Sequence, residues 1–572
     1  MVDKKQKLVN PKELRKQSII RLIALIAIII ALNYISSQVY HRIDLTSEKR
    51  YTLSPSTKEI LKNLDDIVFV KVYLEGDFPA GFRNLRNATK EMLDEFRAVA
   101  KDKIQYQFIN PSDDEDPKER EKVYRNLSKQ GLTYTNLEVR EGDGKSEKII
   151  FPGAIFSYRT EDKPLQLLKS QFGVAPEMML NNSIQQLEYE MASTIRKLTK
   201  KELKKVGFLK GNGTLPQENL QDIKLALGEF YDVSEVEIAG QIRALRDYDA
   251  LIIAQPDSAF SPKDKYIIDQ FIMKGGKTMF LVNGVNVSMD SLETKPVTMG
   301  LSNDIKLDDQ LFRYGIRINQ DLVMDMQAAP IPVVVGYTGN QPQQKLFPWF
   351  YFPLISSTSS HPIVKNLNAV RFEFVSTLDT VEAAPQIKKT PLLQTSKYTK
   401  VMRAPVRVSI NSLREEPNVM QFNQPNKIVA YLLEGEFKSA FINRLPQNFI
   451  ESDDIGFKEN GASTKMIVVG SGSVIRNDIR RATGEYYVLG YDKYTREVFG
   501  NKNFILNAVN YLCDDSGLLE SRTREIKLRL LDKTKVSKER QMWQIINTSL
   551  PIIIVILFGL SQAYIRKKKY AA

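Results

Sequence analysis

The chain has 572 residues, 42% hydrophobic and 26% charged, a globular composition that excludes a disordered or low-complexity protein. Its net charge of +13 sits largely at the ends, where residues 1–17 and the closing Arg566, Lys567, Lys568 and Lys569 contribute +4 each, so nucleic acid is not implied. One cysteine, Cys513, excludes an internal disulfide, and two distant histidines, His41 and His361, argue against zinc and histidine-dependent nucleophilic catalysis. No metal and no cofactor is expected.

Behind the basic tail 1–17, residues 18–36 open with a nearly unbroken apolar run, close to the roughly 20 residues that a helix needs to cross a bilayer. A cleaved signal peptide is the rival reading. The run is long for that purpose, and the following Ser36, Ser37, Gln38, Val39 and Tyr40 offer no small-residue cleavage site. A second apolar run covers 545–565 and stops at the basic tail 566–572. Pro551 inside it is tolerable in a membrane helix. Lysines and arginines before the first run and after the second predict two cytoplasmic termini, basic tails touching lipid headgroups, and a large ectodomain on the far side of the membrane.

Residues 42–200 predict a first α/β domain. Ser54 and Pro55 are a helix start. A strand at 67–75, a helix at 83–100, a strand at 103–109 and a helix at 117–130 follow. A hairpin joins 133–140 to 149–158 about Gly142, Asp143 and Gly144, and a helix covers 183–198. This order is thioredoxin-like. The redox turn would fall at Phe78, Pro79, Ala80 and Gly81, which contain no cysteine.

Residues 203–520 predict a second domain. Strands at 205–210, 232–238, 248–254 and 277–283 alternate with helices at 218–230 and 262–274, the pattern of a doubly wound parallel sheet. Gly211, Asn212 and Gly213 after the first strand, Asn283 after a later one, and Ser471, Gly472 and Ser473 after a strand at 464–470 are candidates for a ligand crevice at the carboxyl ends of the strands. Tight βα turns and a helix cap are the alternative reading. An insertion at about 284–420 is irregular. Its aromatic group Phe347, Trp349, Phe350, Tyr351 and Phe352 is either a partner-docking loop or a satellite core. Residues 427–441 return to the sheet, a helix covers 501–512, and a charged membrane-proximal segment, 521–543, leads to the second apolar run.

Several stretches, in order along the chain, resemble the GldG-like auxiliary proteins of gliding-motility ABC transporters. They are Arg42, Asp44, Leu45, Thr46, Tyr51, Leu53 and Ser54; Leu187, Glu188, Tyr189 and Glu190; and the segments 248–282, 311–325 and 501–507. The resemblance implies an auxiliary, substrate-binding component in the bacterial inner membrane with a periplasmic ectodomain. It implies a membrane permease and a cytoplasmic ATPase as partners, since this chain has no Walker motif. The family's second domain is similar to class I glutamine-amidotransferase-like flavodoxin folds, but no cysteine precedes residue 513, so the resemblance is to fold and the expectation is a non-enzyme. The runner-up is a membrane-tethered scaffold holding cell-envelope motility proteins. A carboxylate-only hydrolase stays open, because acidic residues are too common to discriminate.

Overall fold

The computed structural model describes residues 11–38, 52–141, 144–169, 175–199, 203–339, 341–357, 359–382, 384–414, 416–444, 456–480, 482–514, 517–523 and 533–570. Two compact units result, Met1–Thr52 and Leu53–Ala572. In the first, helix α1 spans Pro11–Gln38. Its described apolar stretch, Ile19–Ala31, is shorter than a membrane crossing.

The second unit opens with α2 (Pro55–Lys62), which has Ser54 as its cap and Pro55 in its first turn. The strands β1 (Val68–Val72) and β2 (Ile104–Phe108) are parallel and linked through α3 (Ala80–Ala100). Helix α4 (Pro117–Lys129) leads into β3 (Thr135–Glu141) and β4 (Gly144–Ile150), which among the described residues pair only with each other. β5 (Gly153–Tyr158) and β6 (Glu161–Gln166) complete a four-stranded sheet of order β2-β1-β5-β6, with α5 (Pro176–Thr199) packed behind it. The single strand expected at 149–158 is therefore two strands with different partners. Pro152 has no N–H to continue a ladder, so the chain breaks there and starts afresh at Gly153.

The larger sheet begins with β7 (Lys205–Lys210), α6 (Gln221–Gly228) and β8 (Asp232–Glu237), followed by β9 (Ala250–Ala254), α7 (Pro262–Met273) and β10 (Lys277–Leu281). These four strands and Asn460–Val469 are parallel, in the order β8-β7-β9-β10 and then Asn460–Val469. The sheet is not wholly parallel, as the repeat of strands and helices suggested. Ile428–Lys438 and Lys388–Gln394 add two antiparallel strands at one edge, because the chain leaves the insertion by adjacent hairpin-like returns rather than by helical crossovers.

Both faces of this sheet are covered, and period-2 alternation assigns each side chain to a face. Ile252, Ala254, Met279 and Leu281 join a cluster with Ile223, Leu227 and Phe504, the last from the helix Asn501–Cys513. Leu251, Ile253, Phe280 and Val282 point the other way, against Ile267, Ile268 and Phe271 of α7. Each such Ile, Leu, Met or Phe side chain stabilises the fold by about 1.5–3 kcal/mol on burial. The first cluster runs on without a break into Leu53, Leu187, Ile195 and the smaller sheet, so the two sheets share one core.

The insertion is more ordered than its composition suggested. It forms short two- and three-stranded sheets about its own cluster, including the hairpin Ala328–Thr338 with Gln341–Ile355. At the far end a long helix, Lys533–Tyr570, contains Pro551. Within its segment Lys538–Lys568 an 18-residue stretch reaches a mean hydropathy of 1.9 with none of it buried, and by length and composition the segment can cross a membrane.

Candidate functional site

Gly211, Asn212 and Gly213 leave β7 with φ of 102°, 52° and 65°, a run of left-handed backbone that favours glycine and asparagine. The Asn212 carbonyl accepts N–H groups from Asp257 and Ser258 at 3.1 Å each. The Asp257 carboxylate lies directly over Gly213, where an added Cβ would come within 1.5 Å of Oδ1. The loop after β9 thus closes down on this turn.

Asn283, Ser471, Gly472 and Ser473 do come together. The Asn283 side-chain oxygen accepts the Gly472 N–H at 2.7 Å, and Gly472 lies against Gln255, with room for no side chain. The Ser471 hydroxyl donates to the Glu373 carbonyl at 3.0 Å, and the Ser473 hydroxyl accepts the Glu373 N–H at 2.9 Å. These hydroxyls hold one segment, Arg371 to Phe374, against the carboxyl end of the sheet.

Beside that segment lies a cavity of roughly 300 Å³, lined by charged side chains from Arg371, Glu373, Arg476, Asp478, Asp492 and Lys493 over an apolar floor that includes Ile331 and Phe352. Arg371 forms an ion pair with Glu373 at 2.9 Å, and Arg476 grips the other carboxylate oxygen. Burial opposes ionisation of Glu373, yet the nearby charges of Arg476, Arg371 and Lys493 prevail and hold its carboxyl below the ordinary value. Asp478 moves the opposite way, raised by its own burial and by the Glu373 charge. The Glu373 carboxylate in turn keeps Arg476 charged.

Two atoms here are unsatisfied. Asp492 is 1% exposed; its Oδ1 accepts the N–H groups of Tyr494 and Thr495, but its Oδ2 has no hydrogen bond. The Arg371 Nε stands 3.9 Å from that oxygen and also lacks a hydrogen bond. Buried polar atoms left in this state are costly and are met where another group completes them. The arrangement can receive a small polar solute or a partner's polar side chain between a carboxylate and a guanidinium.

None of these six residues stood out in the sequence. The available signal was Arg371-Phe372-Glu373-Phe374, charges alternating with buried aromatics, which places charged side chains opposite the apolar face. Asp478 and Asp492 lie in a loop-rich stretch that gives no periodic signal.

The other candidates fall elsewhere. Trp349, Tyr351 and Phe352 are 1%, 4% and 2% exposed, and Trp349 packs on Tyr351 at 5.2 Å. They belong to the satellite core, and only Phe347 and Phe350, both half-buried, remain for any docking role of that segment. Arg42, Asp44, Leu45, Thr46 and Tyr51 lie outside the described residues, as does His41. Leu53 and Ser54 are buried. His361 packs edge-on against Tyr511 at 4.9 Å, and its Nδ1 accepts the Ile363 N–H at 3.3 Å. Burial holds its pKa down at about 4.

Residues 203–508 match the model of a family described as an ABC-type uncharacterized transport system, and residues 47–157 match a domain of unknown function, DUF7088. A protein of Borreliella burgdorferi described as uncharacterized is 22% identical over 545 residues, covering 92% of this chain and 94% of its own. Among solved structures, the mmIFT52 N-terminal domain aligns with 54% of this chain and 98% of its own at 13% identity and a TM-score of 0.31, too distant to carry an argument. With more than half of its length matched by the family model, the chain belongs to the family of ABC-type transport-system auxiliary components.

Proposed function

We propose that the protein is a non-catalytic, extracytoplasmic auxiliary subunit of an ABC transporter complex that serves bacterial gliding motility. It would work with a permease and a cytoplasmic ATPase, and its large α/β body would stand in the periplasm, held at both ends by helices in the inner membrane. The observation that carries this reading is the family match over 203–508 in a chain that also holds, within Lys538–Lys568, an apolar helical stretch with none of it buried. Membership supports the auxiliary role, and the GldG-like stretches support gliding motility and the two partner subunits. The apolar run at 18–36 and the flanking lysines support a second anchor and cytoplasmic termini.

The strand orders support the finer fold reading. A four-stranded sheet with two parallel and two hairpin strands, β2-β1-β5-β6, is the order of a thioredoxin-like domain without redox cysteines. Five parallel strands in the order β8-β7-β9-β10 and Asn460–Val469 follow the flavodoxin-like sequence. In such sheets ligands bind outside the carboxyl ends of the strands, which supports the Glu373 cavity as the site for a bound solute or a partner's polar group.

Co-purification tests the assignment. The full chain should retain the permease, and the complex should be lost when residues 541–572 are replaced by an unrelated membrane span. A retained complex and retained motility after that swap would overturn it. A periplasmic scaffold without solute transport is the second reading, and the half-buried Phe347 and Phe350 favour it. Under that reading, Phe347→Ala/Phe350→Ala reduces capture of envelope partners while the protein accumulates normally.

A further inference from the structure

The opposite, amino-terminal edge of the larger sheet carries a second cavity, of about 530 Å³. Ligand pockets commonly measure roughly 300–1,000 Å³. Its walls come from two turns, one before β9 with Arg243 and Arg246, the other before β10 with Lys274 and Lys277. Among the described residues one carboxylate lines it, Asp249, which accepts the Lys205 N–H at 2.9 Å. Among the described residues, Arg246, Lys274, Lys277 and Lys458 form no ion pair. Beneath the charges lie Leu245, Ile267 and Phe271, all buried, with the Tyr248 ring half-buried at the side.

Four cations, Arg243, Arg246, Lys274 and Lys277, share this lining with the single Asp249 carboxylate, so positive charge is in excess there and the cations repel one another. Partial burial, together with the neighbouring Lys458 and Arg246 charges, holds the Lys274 ammonium below its ordinary pKa. An anion seated among them removes that penalty and gains charge-assisted hydrogen bonds at once. The charges alone can hold a bare ion, and the apolar floor adds affinity for an attached organic part that covers Phe271 and Tyr248. A phosphate group with an attached organic part engages both.

We propose that this cavity is a binding site for a phosphate-bearing anion, held by Arg246, Lys274 and Lys277 over the Phe271 and Tyr248 rings. The Glu373 cavity at the other edge is internally charge-paired and has no such excess, so the two sites are chemically distinct. The phosphate can come from a soluble phosphate ester or from a phospholipid headgroup, which has the same chemistry.

The test uses the full chain in a neutral detergent, titrated calorimetrically with inorganic pyrophosphate. Wild type should bind it, and Arg246→Ala/Lys274→Ala should weaken binding at least tenfold. Lys345→Ala/Arg407→Ala, which removes equal charge from exposed positions elsewhere, should leave it unchanged. Absent binding in wild type, equal affinity in the first variant, or equal loss in both variants would overturn the proposal. Competition by dihexanoyl phosphatidylglycerol but not by the corresponding phosphatidylcholine assigns the site to a headgroup. Competition by glucose 6-phosphate and not by the lipid assigns it to a soluble ester. Circular dichroism of each variant separates lost binding from lost folding.

Discussion

The main-chain N–H of Ser54 donates to a carboxylate oxygen of Glu188 at 2.6 Å, across 134 residues of chain. Both are buried, and both belong to stretches that resemble one protein family, the first just before α2 and the second in the middle of α5. The Ser54 hydroxyl meanwhile caps α2 through the Thr57 N–H at 3.1 Å. One residue thus starts a helix and ties it to α5, whose Arg196 in turn pairs with Asp514 just past the helix Asn501–Cys513. The entrance to the second unit is thereby joined to the end of its larger sheet.

Removing the acceptor should therefore strip a buried N–H of its partner. Glu188→Ala is expected to destabilise the protein by roughly 1–3 kcal/mol, the usual cost of an unsatisfied buried donor. Glu188→Gln, which keeps an acceptor oxygen, should recover much of that loss. Urea midpoints of the three proteins check the order, and equal midpoints for Ala and wild type would show that the bond carries no weight.

At the turn after β7, Gly213 and Gly211 separate two costs. Both have positive φ, so an alanine at either is strained by roughly 1–3 kcal/mol. Only at Gly213 does the new Cβ also strike Asp257, whereas nothing lies within 4 Å of one at Gly211. Gly213→Ala should lower the thermal midpoint more than Gly211→Ala, and Asp257→Gly should relieve the extra part of the loss. If the double variant is no better than Gly213→Ala, the close approach of Asp257 is not what demands glycine there.

In the charged cavity, Glu373→Gln leaves Arg371 and Arg476 without their shared counter-ion. Breaking a buried pair from one side typically costs about 3–5 kcal/mol, whereas replacing the whole set by apolar groups is often neutral. Glu373→Gln should be severely destabilised by denaturant titration. Glu373→Leu/Arg371→Met/Arg476→Met should be closer to wild type. A ranking in the reverse order would mean that the ion pairs are solvent-screened and dispensable.

His361 supplies a pH dependence with a definite sign. Unfolded, it titrates near 6.5, whereas in the fold burial keeps it neutral down to about 4, with the Lys388 and Lys465 charges assisting and Glu434 opposing. Between those values the unfolded state binds the extra proton, so this group's contribution is intact above about 6.5 and is lost as pH falls toward 4. Thermal midpoints across that window should fall more steeply for wild type than for His361→Asn, which retains an acceptor near the Nδ1 position. Parallel curves would show that His361 does not couple to folding.

Where apolar and polar residues repeat with the period of one element, the sequence was readable. The strand at 250–254, the helix at 262–273 and the strand at 277–281 were expected within two residues of where they lie, because each has caps and faces written locally. The aromatic group around Trp349 carried no such information. Whether Trp349 points outward or into a satellite core depends on the partner strand Ala328–Thr338, and a one-residue change of register would reverse it. The split at Pro152 was visible as a proline, yet which sheet each half joins is a long-range choice.

By itself, then, the sequence determined the α/β class, the apolar run at 545–565, that the single Cys513 has no second cysteine in the chain to pair with, and most of the large sheet, since these follow from composition and from periodicities of 2 and 3.6 residues. Only the tertiary structure decided that the hydroxyls of Ser471 and Ser473 serve the Glu373 main chain, and that the charged cavity next to them gathers Arg371, Arg476 and Asp492. Those residues are separated by 105 and 16 positions in the chain. Charges so far apart in sequence have no common pattern to betray them, and they become one site only when strand order and loop closure bring them together.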